Sequence, residues 1–216
     1  MSTDNKKMKT DDLIGQLCGE LTPTSPRCPY RRVAVWFVAS VVYLGFVVWY
    51  LGIRPDFQER LHDTLFLYEL MLGSALLMSA SLASSWLSFP DCMQRNWMKI
   101  VPVTLFGSFV LWIVARSIAE GMTPMATLHI GHCAHEGILM EIIPIIALVI
   151  ITMRGRTTHP YWAMAMNILA VSSLGWIGLR LTCSMDEMGH SFINHLLPFA
   201  IIGAGLGFFA RKLFKW

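Results

Sequence analysis

"VAVWFVASVVYLGFVVWYLGI", Val33 to Ile53, is a run of 21 residues without a single Asp, Glu, Lys or Arg. At the helical rise it makes a rod of about 30 Å, the thickness of a bilayer's hydrocarbon core. The rest of the chain repeats the pattern. Thr64 to Phe89 carries one charge, Glu69; Ile100 to Ala119 carries Arg116; Gly131 to Met153 carries Glu136 and Glu141. Tyr161 to Leu179 and Ser191 to Ala210 carry none. The predicted fold is an all-α integral membrane protein of six transmembrane helices, because a helix satisfies its own backbone hydrogen bonds in lipid. Composition agrees: 55% of the 216 residues are hydrophobic and 14% charged, against about a quarter charged in soluble domains. The first 32 residues are polar and hold no apolar core, so no cleaved signal peptide is expected before the first span.

Basic residues orient the bundle, since loops rich in Lys and Arg stay in the cytoplasm. With the amino terminus inside, that side holds Lys6, Lys7, Lys9, Arg27, Arg31, Arg32, Arg95, Lys99, Arg154, Arg156, Arg211, Lys212 and Lys215, 13 of 17. The other four, Arg54, Arg60, Arg116 and Arg180, fall outside or near the outer ends of spans. Both termini are expected in the cytoplasm. The net charge of +3 then reflects topology, and direct nucleic-acid binding is not expected.

Three parts follow from composition: a tail over 1–32, a transmembrane body over 33–210 and a basic end over 211–216. In the tail, Thr10 is a good N-cap, with Asp11 and Asp12 in the first turn where the helix dipole favours negative charge. Leu13, Ile14, Leu17 and Leu21 share one face at helical spacing. The helix is expected to stop near Thr22, before Pro23, Pro26 and Pro29. So short a helix is marginal in water and needs a partner surface. The inner leaflet is one such surface. Its polar face offers Asp11, Asp12 and Glu20 rather than Lys and Arg, which suits a groove on a basic soluble protein better than anionic lipid.

"MKTDDLIGQL" near the amino terminus, "LGIRPDF" closing the first span and "FARKLFKW" at the carboxyl end resemble the NrsF family, six-span anti-sigma factors of the bacterial inner membrane. Cys133 at the head of the fourth span and Cys183 in "LTCSMDE" are similar to the family's paired cysteines. The resemblance implies a negative regulator that holds an extracytoplasmic-function sigma factor at the membrane until a signal releases it. It also implies that Lys9, Thr10, Asp11, Asp12, Leu13 and Ile14 contact the sigma factor; Leu17 extends the same apolar face. The histidine-rich entry to the fourth span and the extra cysteines Cys18, Cys28 and Cys92 depart from the family pattern.

That entry, "TLHIGHCAHEG" from Thr127 to Gly137, falls on the outer side, as do Cys133 and Cys183, where a disulfide can persist. His132, His135 and Glu136 share one helix face by their spacing of three and four. Cys133 lies about 100° around the helix from His132 and is expected to face Cys183. A bound transition-metal ion is the cofactor this region admits. The candidate ligands are His132, His135, Glu136 and His190, or a mixed set using Cys133 and Cys183. No spacing matches a zinc signature, and hydrated interfacial side chains are the plain alternative. The cysteine pair supports a redox switch, a soft-metal sensor or a structural disulfide.

Glu69, Arg116, Glu141, Arg180 and His195 lie within or at the ends of spans, where ionisable groups face the bundle interior in pairs. Glu69 or Glu141 is expected to pair with Arg116 or Arg180, lining a polar cavity open to the outside. Met164 and Met166 are read as lipid-facing or packing residues, and "GAGLG", Gly203 to Gly207, as a close helix contact. No nucleophile elbow, phosphate loop or HExxH is present, so an enzyme is not expected. A small metal or proton transporter using Glu69, Glu141 and the outer histidines is the rival class. A membrane redox or haem protein is a weaker third, because only His195 is well within a span.

Overall fold

The computed structural model describes residues 10–19, 29–89, 97–119 and 131–215. Six helices are long and apolar enough to cross a membrane. In chain order the elements are α1 (Thr10–Gly19), α2 (Pro29–Leu51), α3 (Phe57–Arg60), α4 (Thr64–Leu87), α5 (Trp97–Ala119), α6 (His132–Met153) and α7 (Pro160–Thr182). A short α8 (Met188–His190) then runs through a π-helical turn (Ser191–Leu196) into α9 (Leu197–Leu213). The six span positions read from hydropathy reappear with ends shifted by a few residues.

The local chemistry of the helix ends is visible. Gly52 ends α2 at φ +91°, a backbone that disfavours side chains, and its N–H reaches Val48 O at 2.9 Å. Asp63 caps α4 by accepting from Leu65 N–H at 2.9 Å. Pro160 opens α7 at a position where no N–H is needed. The chain describes α1 from Thr10, with Thr10, Ile14 and Cys18 exposed. Lys9, Glu20 to Cys28 and Cys92 lie outside the described residues, as do the side chains of Asp11, Asp12, Leu13 and Leu17.

α7 is the central helix, packed by α4, α6, α9, α2 and α5. Its core residues Leu174 and Leu179 meet Met140 and Leu148 of α6 and Leu44 of α2. Met164 and Met166 are fully buried in a second cluster with Ala83 and Phe214, so they are packing residues and not lipid-facing ones. Of the "GAGLG" glycines only Gly203 is closely approached, by Ile168; around Gly205 and Gly207 the space is open. α2 and α6 run antiparallel and are joined by Trp36 Nε1 donating to Pro144 O at 3.0 Å and Tyr43 Oη donating to Leu139 O at 2.6 Å. A buried polar patch joins α4, α6 and α7. In it Ser84 Oγ donates to Asn167 Oδ1, and Asn167 Nδ2 donates to Thr152 Oγ1 at 3.1 Å.

Antiparallel packing sorts the chain into two ends. The described Lys and Arg residues Arg31, Arg32, Lys99, Arg154, Arg156, Arg211, Lys212 and Lys215 belong to one end. At the other, which carries Cys133 and Cys183, the four remaining arginines meet four carboxylates. Arg54 pairs with Asp56 (2.7 Å) and Asp186 (2.8 Å), and Arg60 with Asp56, Asp63 and Asp186. Arg180 joins Asp186 (2.8 Å) to Glu69 (3.0 Å), and Arg116 closes on Glu69 at 2.7 Å. Phe66 lies under Arg54 and Arg180, with centroid distances of 5.6 and 5.2 Å.

Candidate functional site

Two cysteines and two histidines converge at the arginine-carboxylate end. Cys133 stands in the first turn of α6 and Cys183 is the extended residue that ends α7, φ −84° and ψ 126°. Their free thiols are 3.3 Å apart. His190 Nε2 lies 3.5 Å from Cys183 Sγ, and His195 completes a group whose four ligand atoms all fall within 4.8 Å of one another.

The π turn brings the two histidines together. At about 100° per residue, positions five apart on an α-helix point about 140° apart. The wider i→i+5 turn brings such positions nearly into line, and Ser191–Leu196 adopts it. His190 and His195 consequently stack edge to face at 5.2 Å, with Trp176 against His195 on another side at 5.8 Å. His195 is fully buried, and one of its ring nitrogens lies within 4.8 Å of both thiols.

Asn194, unremarked in the sequence, organises this arrangement. Its Oδ1 accepts from Gly131 N–H at 2.6 Å, so its Nδ2 is the donor that faces His190 Nδ1 at 3.2 Å. That assignment puts the His190 proton on Nε2, facing Cys183 Sγ. The thiol of Cys133, donating to Cys183 Sγ, holds the Cys183 pKa well below that of an ordinary thiol. Cys183 is thereby the more acidic thiol of the pair, and the thiolate is the form that binds metal and attacks electrophiles.

Among the sequence candidates, then, Cys133, Cys183 and His190 come together and His195 joins them from the list of intramembrane polar residues. His132 and His135 are exposed and outside the cluster. His132 Nδ1 instead meets Glu136 Oε1 at 2.8 Å along the α6 surface. Glu69 takes both Arg116 and Arg180, whereas Glu141 has neither: it is buried against Gly175 of α7 in apolar surroundings. Where a polar cavity was expected, the described residues show an ion-pair chain, and two cavities among them are lined mainly by apolar side chains. Asn167, toward the basic end, is tied into the Ser84 and Thr152 bonds.

The ion-pair chain touches the cluster directly in sequence. Cys183 is followed by Ser184, Met185 and Asp186, and Asp186 is held by Arg54, Arg60 and Arg180. Arg54 N–H also donates to Leu181 O at 3.0 Å. The "LGIRPDF" and "LTCSMDE" segments are therefore two halves of one clamp joining the end of α2 to the cysteine loop.

No curated protein and no solved structure matches the chain. The family model of NrsF, negative regulator of sigma F, matches residues 17–216. Of the tail residues read as the sigma contact, Leu17 alone falls within that range. With nearly its whole length matched and six helices apolar enough to cross a bilayer, the chain belongs to the NrsF family of negative regulators of sigma F.

Proposed function

We propose that this anti-sigma factor sits in the bacterial inner membrane with both termini in the cytoplasm, and that its tail holds an extracytoplasmic-function sigma factor. The signal enters at the opposite end, where Cys133, Cys183, His190 and His195 would hold a thiophilic metal ion. The observation that carries this reading is the convergence of four soft and borderline donors within 4.8 Å, with a fully buried His195 among them. Tetrahedral sites need such a set at metal–sulfur distances of about 2.3 Å and metal–nitrogen distances of about 2.0–2.1 Å, which puts the sulfurs about 3.8 Å apart, so the two thiols at 3.3 Å must part as the metal enters between them.

That movement shifts the Cys183 loop. Asp186 follows, and with it Arg54 and the end of α2, whose other end carries the tail. Trp36 and Tyr43 link α2 to the helix that bears Cys133. The sigma contact is assigned to Lys9, Thr10, Asp11, Asp12, Leu13, Ile14 and Leu17, and the exposure of Ile14 in α1 supports an apolar face that seeks a partner. Orientation is supported by the one-sided distribution of Lys and Arg.

A second input is favoured by the 3.3 Å thiol separation. The two thiols can close a disulfide, giving two electrons and two protons to an external two-electron oxidant. Titrating the purified chain with cadmium while recording thiolate-to-metal charge-transfer absorption tests the metal reading. One equivalent should bind, and Cys183→Ser or His195→Ala should weaken it at least tenfold. Equal binding in all three chains would remove the cluster from the account. A full-chain pull-down with Leu13→Asp tests the tail: undiminished sigma capture would place the contact elsewhere.

A further inference from the structure

Glu141 stands near the middle of α6, nine positions beyond His132, and is 6% exposed. Its Oε1 is buried with no hydrogen-bond partner, and none of the ion pairs among the described residues includes it. The four arginines of the cysteine end are already matched by Asp56, Asp63, Glu69 and Asp186. The carboxyl has nevertheless been given room: a Cβ at residue 175 would overlap Glu141 Oε1, so glycine there makes its pocket. A cavity of about 160 Å³ between α6, α7 and α9 is lined by Glu141, Ile145, Ser172, Phe199 and Gly203. Ile142, at its edge, is 47% exposed on the outer surface of the bundle.

We propose that this groove binds a lipophilic amine that enters sideways from the bilayer, its nitrogen on Glu141 and its apolar body along the isoleucine and phenylalanine wall. Charge complementarity selects the ligand. An orphan carboxyl in apolar surroundings is costly, and an amine relieves it whichever partner holds the proton: ammonium with carboxylate, or amine with carboxylic acid. An acidic amphiphile adds a like charge, and a pure hydrocarbon chain leaves the carboxyl without a partner. A hard metal ion wants about six oxygen ligands, where the groove offers Glu141 and the Ser172 hydroxyl. This site is separate from the Cys–His cluster and does not depend on sigma release.

The test uses the full chain in zwitterionic-lipid nanodiscs with tritiated decylamine, uptake by empty nanodiscs being subtracted. Saturable binding is expected, weakened about tenfold or more in Glu141→Gln, the loss of one charge-assisted hydrogen bond. Ile142→Trp, a change at an exposed position that leaves the fold intact, should block the mouth and give a similar loss. Decanol should compete weakly with the amine. Equal uptake by wild type and Glu141→Gln, uptake no greater than in empty nanodiscs, or decanol competing as well as unlabelled amine overturns the proposal. Should Glu141→Gln fail to fold, undiminished binding in Ile142→Trp overturns it alone.

Discussion

Replacing Glu69 with methionine tests the ion-pair chain at its most buried link. The Glu69 side chain is 1% exposed and faces Arg180 at 3% and Arg116 at 21%. Removing one partner of a buried pair costs about 3–5 kcal/mol, because a charge is left behind without compensation. Here Arg180 keeps Asp186 at 2.8 Å and Arg116 is partly solvated, so the lower end applies, about 3 kcal/mol. Arg116→Met leaves Glu69 with Arg180 and should cost much less. The double variant Glu69→Met/Arg116→Met removes both members of the Arg116–Glu69 pair, and an apolar pair of similar volume substitutes for an ion pair nearly neutrally. It should therefore be more stable than the sum of the single losses by roughly 1 kcal/mol or more, beyond the ~0.5 kcal/mol scatter of independent sites. Equilibrium unfolding in mixed micelles, followed by circular dichroism, reads all three. A Glu69→Met loss below about 1 kcal/mol, or strictly additive variants, would refute the reasoning that this chain of charges is structural.

Other outcomes follow from the same geometry. Arg54's hydrogen bond holds the Asp56 carboxyl well below the usual range; for Asp186, partial burial pushes upward but the Arg54 hydrogen bond and the charges of Arg180, Arg54 and Arg60 outweigh it. Both are lowered on folding, so their contribution is complete above an unfolded aspartate's pKa of about 4 and is lost as pH falls below it. Melting temperature against pH should decline in that acid range, and less steeply in Asp186→Asn. Asp63→Ala removes the α4 cap and should cost about 1 kcal/mol in the same unfolding assay. Asn194→Leu should leave the helix content unchanged and tighten cadmium binding, because the Asn194 bond holds His190 with its proton on Nε2, the nitrogen that must be bare to ligate; unchanged affinity would deny Asn194 a role in setting that tautomer.

The spans were legible because each stretch is long, apolar and bounded by charge, and hydropathy needs no knowledge of neighbours. The four outer arginines stood out as exceptions to the basic-side rule. Their reason lay in partners far apart in sequence, such as Arg54 and Asp186, which no local pattern reveals. The cysteine pair was legible from its position at facing span ends, and the histidines beside it only in part. Helical spacing favoured His132, His135 and Glu136, residues that do share a helix but turn outward. His195 was missed as a neighbour of His190 and the cysteines because five residues from His190 is the wrong interval on an α-helix; the π turn restores it, and nothing in "GHSFINHL" announces that turn. Asn194 could have been noticed as a polar residue between two histidines in an apolar span. Glu141 was legible as an intramembrane carboxyl, while its separation from every arginine required the packing of α6 on α7.

The central claim is that events at the Cys133–Cys183 end govern the hold of the tail on its sigma factor. Full-length protein in proteoliposomes, loaded with fluorescent sigma factor on the side of the termini, can be exposed to cadmium on the cysteine side alone. Sigma release is expected from the wild type, and retention by Cys133→Ser/Cys183→Ser at the same cadmium concentration. Retention by the wild type under saturating cadmium, or equal release from both chains, would contradict it.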